Sequence, residues 1–294
     1  MRISNVNVTI WAGVLLLLCA GMFSCAHKQA GGDTAGLSSS QSSQEYERLG
    51  DVLLSRDNLE MAFFQYNRSL ELDPNNISAR YKKGLILLRS YQNQEALNEF
   101  QTLSRLDPEY APAYEGMGRT YFQMRNHDQA QLNLLHALSL DPDLWRSRAL
   151  LGKIYDHQAK YHQAIEEHLA AIRLNPREGS LYNNLGVSYN LNRDFDNAVL
   201  AFNTALELNF QDPAVYNNLG LALSKTGRYS GALEAFRKAG SEAQAYNNLG
   251  CVYLEKGLYE EAIQVFEKAI ALDPSFYVKA GENLKKARLG LGKR

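Results

Sequence analysis

The chain has 294 residues, 45% of them hydrophobic, with 31 basic and 32 acidic side chains and a formal net charge of −1. A charge so near zero gives no long-range pull toward nucleic acid or anionic membrane, so neither partner is expected on electrostatic grounds. Cys19, Cys25 and Cys251 form no CxxC pair and no even framework, which excludes a disulfide-stapled fold.

The first element is a targeting segment. Arg2 is followed by no charged residue until Lys28, and Ile10 to Ala20 (IWAGVLLLLCA) is an unbroken apolar and small-residue run. Such a run is short for a mature membrane-crossing helix and suits the core of a secretory signal. It leads into Gly21-Met22-Phe23-Ser24-Cys25, where a small residue directly before a cysteine resembles the lipobox of bacterial lipoproteins. That resemblance implies removal of residues 1–24 and acylation of Cys25. Ala26, in place of an aspartate, implies sorting to the periplasmic face of the outer membrane. The alternative is an uncleaved anchor, because Val8 to Ser24 is charge-free and nearly long enough to span. Residues 25–42 are rich in Gly, Ser, Ala and Gln and read as a flexible tether.

A repeat follows. Gly50, Gly84, Gly118, Gly152, Gly186, Gly220 and Gly250 are spaced 34 residues apart except for the last step, which is 30. Twelve residues after each stands an alanine: Ala62, Ala96, Ala130, Ala164, Ala198, Ala232 and Ala262. Seven further on alanine recurs at Ala137, Ala171, Ala205, Ala239 and Ala269, with Ser69 and Leu103 in the first two units. In the fifth unit Tyr182, Gly186 and Tyr189 share one helix face, and Ala198, Phe202, Ala205 and Leu206 share the face of a second helix. Two amphipathic helices therefore alternate. Glycine costs about 1 kcal/mol in a helix interior, so a glycine in every unit requires a packing reason. Endings such as Leu72-Asp73-Pro74 and Leu174-Asn175-Pro176 stop each second helix, because the residue before proline is pushed out of the helical region.

This period with these positions resembles the tetratricopeptide repeat. The resemblance implies an all-α fold, a right-handed superhelical solenoid over residues 43–276 with about seven helix-turn-helix units starting near 43, 77, 111, 145, 179, 213 and 243. A single unit cannot bury its apolar face alone, whereas stacked units share one continuous core. Residues 277–294, carrying Glu282, Lys285, Lys286 and Arg288, read as a solvated capping helix.

Three places break the pattern. Four residues are missing between Gly220 and Gly250, either as a tolerated deletion or as a kink presenting a surface at residues 239–245. Arg80, Lys83 and Leu103 occupy normally packed or small positions in the second unit, which predicts weaker stacking there. His168 fills a slot taken elsewhere by Tyr66, Phe100, Leu134, Phe202, Phe236 and Phe266, and is expected in the core with its imidazole satisfied.

Nothing in the sequence carries chemistry. There is no phosphate loop, no GxSxG and no HExxH. His136, His157, His162 and His168 cluster in the third and fourth units without metal-ligand spacing, so no metal and no other cofactor is expected. The chain is read as a non-enzyme with no small-molecule substrate.

The repeat family implies instead a groove lined by first helices, at residues one to two before the glycine and one, four and five after it. Three units place asparagine pairs there: Asn183-Asn184, Asn217-Asn218 and Asn247-Asn248. An amide offers a donor and an acceptor to an extended peptide backbone, and the ladder resembles those that hold peptides in some tetratricopeptide proteins. The other reading is that these amides only bridge neighbouring helices. Lys82, Arg89, Arg119 and Lys153 put positive charge beside Leu85, Leu88 and Phe122, which suits an acidic amphipathic segment or simply solvates the face.

The secretion signal, the repeat count and the shortened sixth unit before AYNNLG, followed by FYVKAGENLKKAR, resemble the TadD-type lipoproteins of tight-adherence (Flp) pilus assembly over residues 180–290. That implies a membrane-anchored scaffold whose partners are proteins, a pilus secretin or other envelope components among them. A pilotin-like lipoprotein of type IV pili and a general adaptor for envelope enzymes are the alternatives.

Overall fold

A computed structural model describes residues 42–274 and 277–292. The signal, the lipidation cysteine Cys25 and the tether up to residue 41 lie outside the described residues. Those described form fifteen α-helices and no strand. The first helices of the units are α1 (Ser43–Ser55), α3 (Ile77–Arg89), α5 (Ala111–Gln123), α7 (Trp145–His157), α9 (Gly179–Leu191), α11 (Pro213–Lys225) and α13 (Glu242–Glu255). Each is followed by a second helix: α2 (Leu59–Leu72), α4 (Asn93–Leu106), α6 (His127–Leu140), α8 (Tyr161–Leu174), α10 (Phe195–Glu207), α12 (Tyr229–Ala239) and α14 (Tyr259–Leu272). Helix α15 (Tyr277–Leu291) follows. Each helix packs chiefly on the one before and the one after it, the nearest-neighbour stacking of a solenoid. Among the described residues no helix is long and apolar enough to cross a membrane.

One turn joins the two helices in every unit. Its pivot has positive φ: Asp57, Tyr91, Arg125, Ala159, Arg193, Gly227 and Gly257. In the first unit the Asp57 N–H donates to the Leu54 carbonyl at 3.0 Å and the Asn58 N–H to the Leu53 carbonyl at 3.0 Å, closing the end of α1. The same pair of bonds recurs through Leu258 N–H to Tyr253 in the seventh unit. Second helices end differently. Asp73, Asp107 and Asp141 each take the N–H two residues on with a carboxylate oxygen at 3.0 Å, and the proline between them prevents continuation.

The repeating glycine has its packing reason. A Cβ on Gly84, Gly186 or Gly220 would come within 2.5–2.7 Å of Phe100, Phe202 or Phe236 on the following helix, so only a bare backbone lets the two helices close on the ring. The aromatic is fully or almost fully buried in each case, worth roughly 1.5–3 kcal/mol per side chain. Apolar clusters of this kind follow one another along the seam between first and second helices.

One expectation holds in part and one needs correction. The helices of the second unit touch each other less than those of any other unit and meet the first unit over a narrow seam, as expected. Toward the third unit they pack closely, with Leu103 fully buried in a cluster with Phe100, Leu97, Leu88 and Met117. Arg80 and Lys83 do not disturb it, because both reach Glu99 of α4, at 2.7 and 2.8 Å, and stay at the edge of the core. His168 is in the core, fully buried against Gly152, but neither ring nitrogen has a hydrogen-bond partner.

The shortened sixth unit loses the end of its second helix. Helix α12 has 11 residues and stops at Gly240, and Ser241 starts α13 directly through a capping box with Gln244. At the far end α15 packs on α14 through Ala280 and Ala287, with Arg288 bonded to Glu267 at 2.8 Å.

Candidate binding groove

The first helices of the early units turn side chains at fixed offsets from the glycine onto a common face. Tyr81, Leu85, Leu88 and Arg89 come from α3, Glu115, Arg119, Phe122 and Gln123 from α5, and Arg146, Leu150 and His157 from α7. Tyr91, Arg125 and His127 join from the turns and the start of α6. Together they line a groove of about 1100 Å³.

Its charge is one-sided. Four arginines, Arg89, Arg119, Arg125 and Arg146, line it against a single carboxylate, Glu115. Arg89 pairs with Asp57 at 2.8 Å, but both groups are exposed and such a pair is easily exchanged. Arg119 is 3.9 Å from Glu115, a loose i,i+4 contact. Arg125 and Arg146 form no ion pair among the described residues, and Arg146 lies over the Trp145 ring at 4.3 Å. Glu115 is buried and accepts a hydrogen bond from Ser147 at 2.9 Å. Burial, helped by the Glu115 charge, pushes the Tyr81 phenol up to about 12, so Tyr81 presents a neutral hydroxyl.

Of the lysines expected here, Lys82 is half-buried and tied to the preceding unit. Its ammonium sits 2.8 Å from Glu47 and 2.7 Å from Asp51, joining α3 to α1, while Tyr66 donates to Asp51 at 2.8 Å. Lys153, one residue after Gly152, stands at the equivalent of Arg119 and is exposed. The protein around it still removes enough water to pull its ammonium below its ordinary range. Cys251 is exposed on α13 and accepts from Asn283 of α15 at 3.4 Å.

The asparagine pairs lie further along the stack, all half-buried. Asn248 donates to the Asn217 side chain at 3.3 Å, tying α13 to α11, and Asn190 donates to the Asn218 carbonyl at 3.3 Å. The side-chain oxygens of Asn183 and Asn247 are enclosed and lack a partner. Asn184 offers its carbonyl to Ser188 at 3.2 Å. Asn217, Asn247 and Asn248 also line a smaller cavity of about 290 Å³ with Gln244, Gly240, Ala239 and Phe236, opened where α12 stops early.

Sequence spacing missed the groove's imidazoles. His157 stacks on His127, not on the other histidines, with ring centroids 5.0 Å apart and planes 25° from parallel. Phe122 meets His127 edge-on at 5.3 Å. The 30-position separation of the two histidines is bridged by unit stacking, and of the sequence signals only the turn geometry, with His127 two residues past the Arg125 pivot, points to their meeting. His136 goes elsewhere, edge-on to Tyr114. Among the described residues no three His, Cys, Asp or Glu side chains converge on a metal position.

Tetratricopeptide repeat family models match residues 46–76, 65–98, 111–144, 149–213, 192–242 and 243–276. Among curated proteins, the TPR repeat-containing thioredoxin TTL4 of Arabidopsis thaliana is 28% identical over 92 residues, which is 31% of this chain and 14% of that protein. Among solved structures, a chain of the APC/C hetero-tetramer Cut9-Hcn1 superposes with a TM-score of 0.59 at 22% identity, over 84% of this chain and 52% of that one. A tetratricopeptide repeat protein from Parabacteroides merdae superposes with a TM-score of 0.55 at 17% identity, over 84% of this chain and 98% of that one. This chain thus spans a small part of the curated relative and about half of the first structure. The likenesses to solved structures speak for the fold.

Proposed function

Because this chain is a tetratricopeptide repeat protein, a fold that generally serves as a non-catalytic scaffold for protein–protein interaction, we propose that its groove captures an acidic amphipathic segment of a partner protein. The observation that carries this reading is the lining itself: four guanidiniums against one carboxylate, set beside Leu85, Leu88, Phe122 and Leu150. An amphipathic helix laid in such a groove buries its apolar stripe on the leucines and sets its carboxylates against the arginines. The charge complementarity sets partner choice and association rate more than affinity. No catalytic role is proposed.

The test is a titration with a synthetic amphipathic peptide bearing leucine on one helical face and glutamate on the other, against its lysine-for-glutamate counterpart. The glutamate peptide binds, and binding weakens as salt is raised. Equal binding of the lysine peptide contradicts the reading.

A second surface is proposed at Asn183, Asn184, Asn217, Asn218, Asn247 and Asn248. The unpartnered oxygens of Asn183 and Asn247 favour contact with donors of an extended partner backbone. The Asn217–Asn248 bond favours the helix-bridging role. Alanine at Asn184, Asn218 and Asn248 together separates the two, since partner capture is lost with helicity intact only in the first case.

The setting we propose is the cell envelope, with Cys25 acylated and the scaffold held at the outer membrane for pilus or secretion assembly. The GMFSC sequence and the shortened sixth unit support it. Cys25→Ser should release the protein from membranes; retention on membranes favours the uncleaved anchor. Co-purification of a pilus secretin would support the pilus setting, and envelope enzymes in its place the adaptor alternative.

A further inference from the structure

Two imidazoles stacked in the wall of a groove already lined by arginines are an unusual use of histidine. His127 is the first residue of α6 and His157 the last of α7, and both line the groove that carries Arg89, Arg119, Arg125 and Arg146. Their rings lie 5.0 Å apart, with Phe122 closing one side, and Nδ1 of His127 is enclosed without a hydrogen-bond partner. The charged side chains on the elements that carry and flank the pair are Glu115 and Arg119 of α5, Arg125 of the turn after it, Asp128 of α6, Arg146, Arg148, Lys153 and Asp156 of α7, and Lys160 of the turn into α8. Asp156 is turned away, toward His168 and the Ser188 hydroxyl. Arg148 is taken by Glu167 at 3.1 Å, which leaves Glu115 and Asp128 as the acids against Arg119, Arg125, Arg146, Lys153 and Lys160.

Imidazole is the side chain that gains charge between pH 8 and 5. A carboxylate brought in by a ligand beside these rings favours the protonated imidazole. We infer that His127 and His157 form a carboxylate subsite at the unit-three to unit-four junction, which binds a glutamate or aspartate side chain of the partner and takes up a proton as it does so. The sign follows from linkage: the bound form holds more protons than the free form, so affinity rises as pH falls. Glutamates of the ligand remain ionised above about pH 5.5 and do not mask the effect. This inference rests on the groove reading above.

The experiment uses the glutamate peptide with the full chain and measures its dissociation constant from pH 7.5 to 5.5 at constant ionic strength. Proton uptake predicts tightening by about tenfold across that range, and His157→Gln, at an exposed position, should flatten it to less than about twofold. His157→Lys supplies a permanent charge and should bind tightly at pH 7.5 with the same flat profile. Circular dichroism checks that each variant is folded. Peptide binding with no pH dependence in the wild type, or an unchanged pH slope in both His157 variants, overturns the carboxylate subsite while leaving the groove reading intact. No binding at any pH overturns both.

Discussion

His168 Nε2 lies 3.7 Å from Asp156 Oδ2, and that same carboxylate oxygen accepts a 2.7 Å hydrogen bond from Ser188 in the next unit. The imidazole fills the place where the other units put a phenylalanine, a tyrosine or a leucine, against a glycine that leaves room for it. Both ring nitrogens and Asp156 Oδ1 are enclosed without partners, so the fourth unit carries polar atoms its core does not use. An enclosed polar atom without a partner costs about 1–3 kcal/mol.

His168→Phe should therefore stabilise the protein, by about 1 kcal/mol at neutral pH, since Asp156 keeps its bond to Ser188. Urea unfolding of the two forms checks it. A lower midpoint in the variant would mean that the His168–Asp156 contact stabilises the fold.

Gly186→Ala should destabilise by about 1–3 kcal/mol, because its Cβ would fall 2.6 Å from the Phe202 ring, which has no free end to swing aside. In the third unit Gly118 faces Leu134, so a leucine opposite this glycine is already tolerated. The double variant Gly186→Ala with Phe202→Leu should then lose less than the sum of the single changes. Strict additivity in a double-mutant cycle would show that the two sites do not compete for the same space.

Ala159 holds φ of 58° at the turn of the fourth unit, a region that costs an L-residue roughly 1–2 kcal/mol and glycine little. Ala159→Gly should stabilise by about 0.5–1 kcal/mol after the added chain entropy of glycine is deducted. The reverse change, Gly227→Ala at φ of 81°, should destabilise. Thermal midpoints moving in the same direction for both would sink the argument.

Acid should loosen the first unit through Glu47. Burial pushes this carboxyl up, but hydrogen bonds from Lys82, Ser78 and Asn76 outweigh it and hold it below its ordinary value of 4.5. A depressed carboxylate contributes stability that is present above the unfolded value and lost as pH falls through the folded one. Amide exchange in α1 and α3 should accordingly accelerate below about pH 4.5, relative to exchange in α11 and α13. Lys82→Met should weaken this acid response, and an unaltered profile would show that Glu47 is not its source.

The helices could be read from the chain because each unit states the same contact twice, once as glycine and once as the large side chain sixteen residues on. The turns were less legible. Five of their seven positive-φ pivots are Asp57, Tyr91, Arg125, Ala159 and Arg193, none of which signals a left-handed backbone as Gly227 and Gly257 do. Arg80 and Lys83 stand where packed residues are expected, and only the fold places Glu99 of the facing helix within their reach. Lys82 looked like a groove charge for the same reason, its partners Glu47 and Asp51 lying a full unit upstream. Arg89 and Arg119 were found by their offset from the glycine. Arg125 and His127 were not, because they reach the groove from the turn and the second helix, where that offset has no meaning.

The most direct test of the groove as the partner site is a charge reversal. Arg119→Glu with Arg146→Glu turns four arginines against one carboxylate into two against three. Titrated with the two amphipathic peptides, this variant should lose the glutamate peptide by more than about tenfold and gain the lysine peptide, with circular dichroism unchanged. Retention of the wild-type preference for the glutamate peptide would place its binding surface outside this groove.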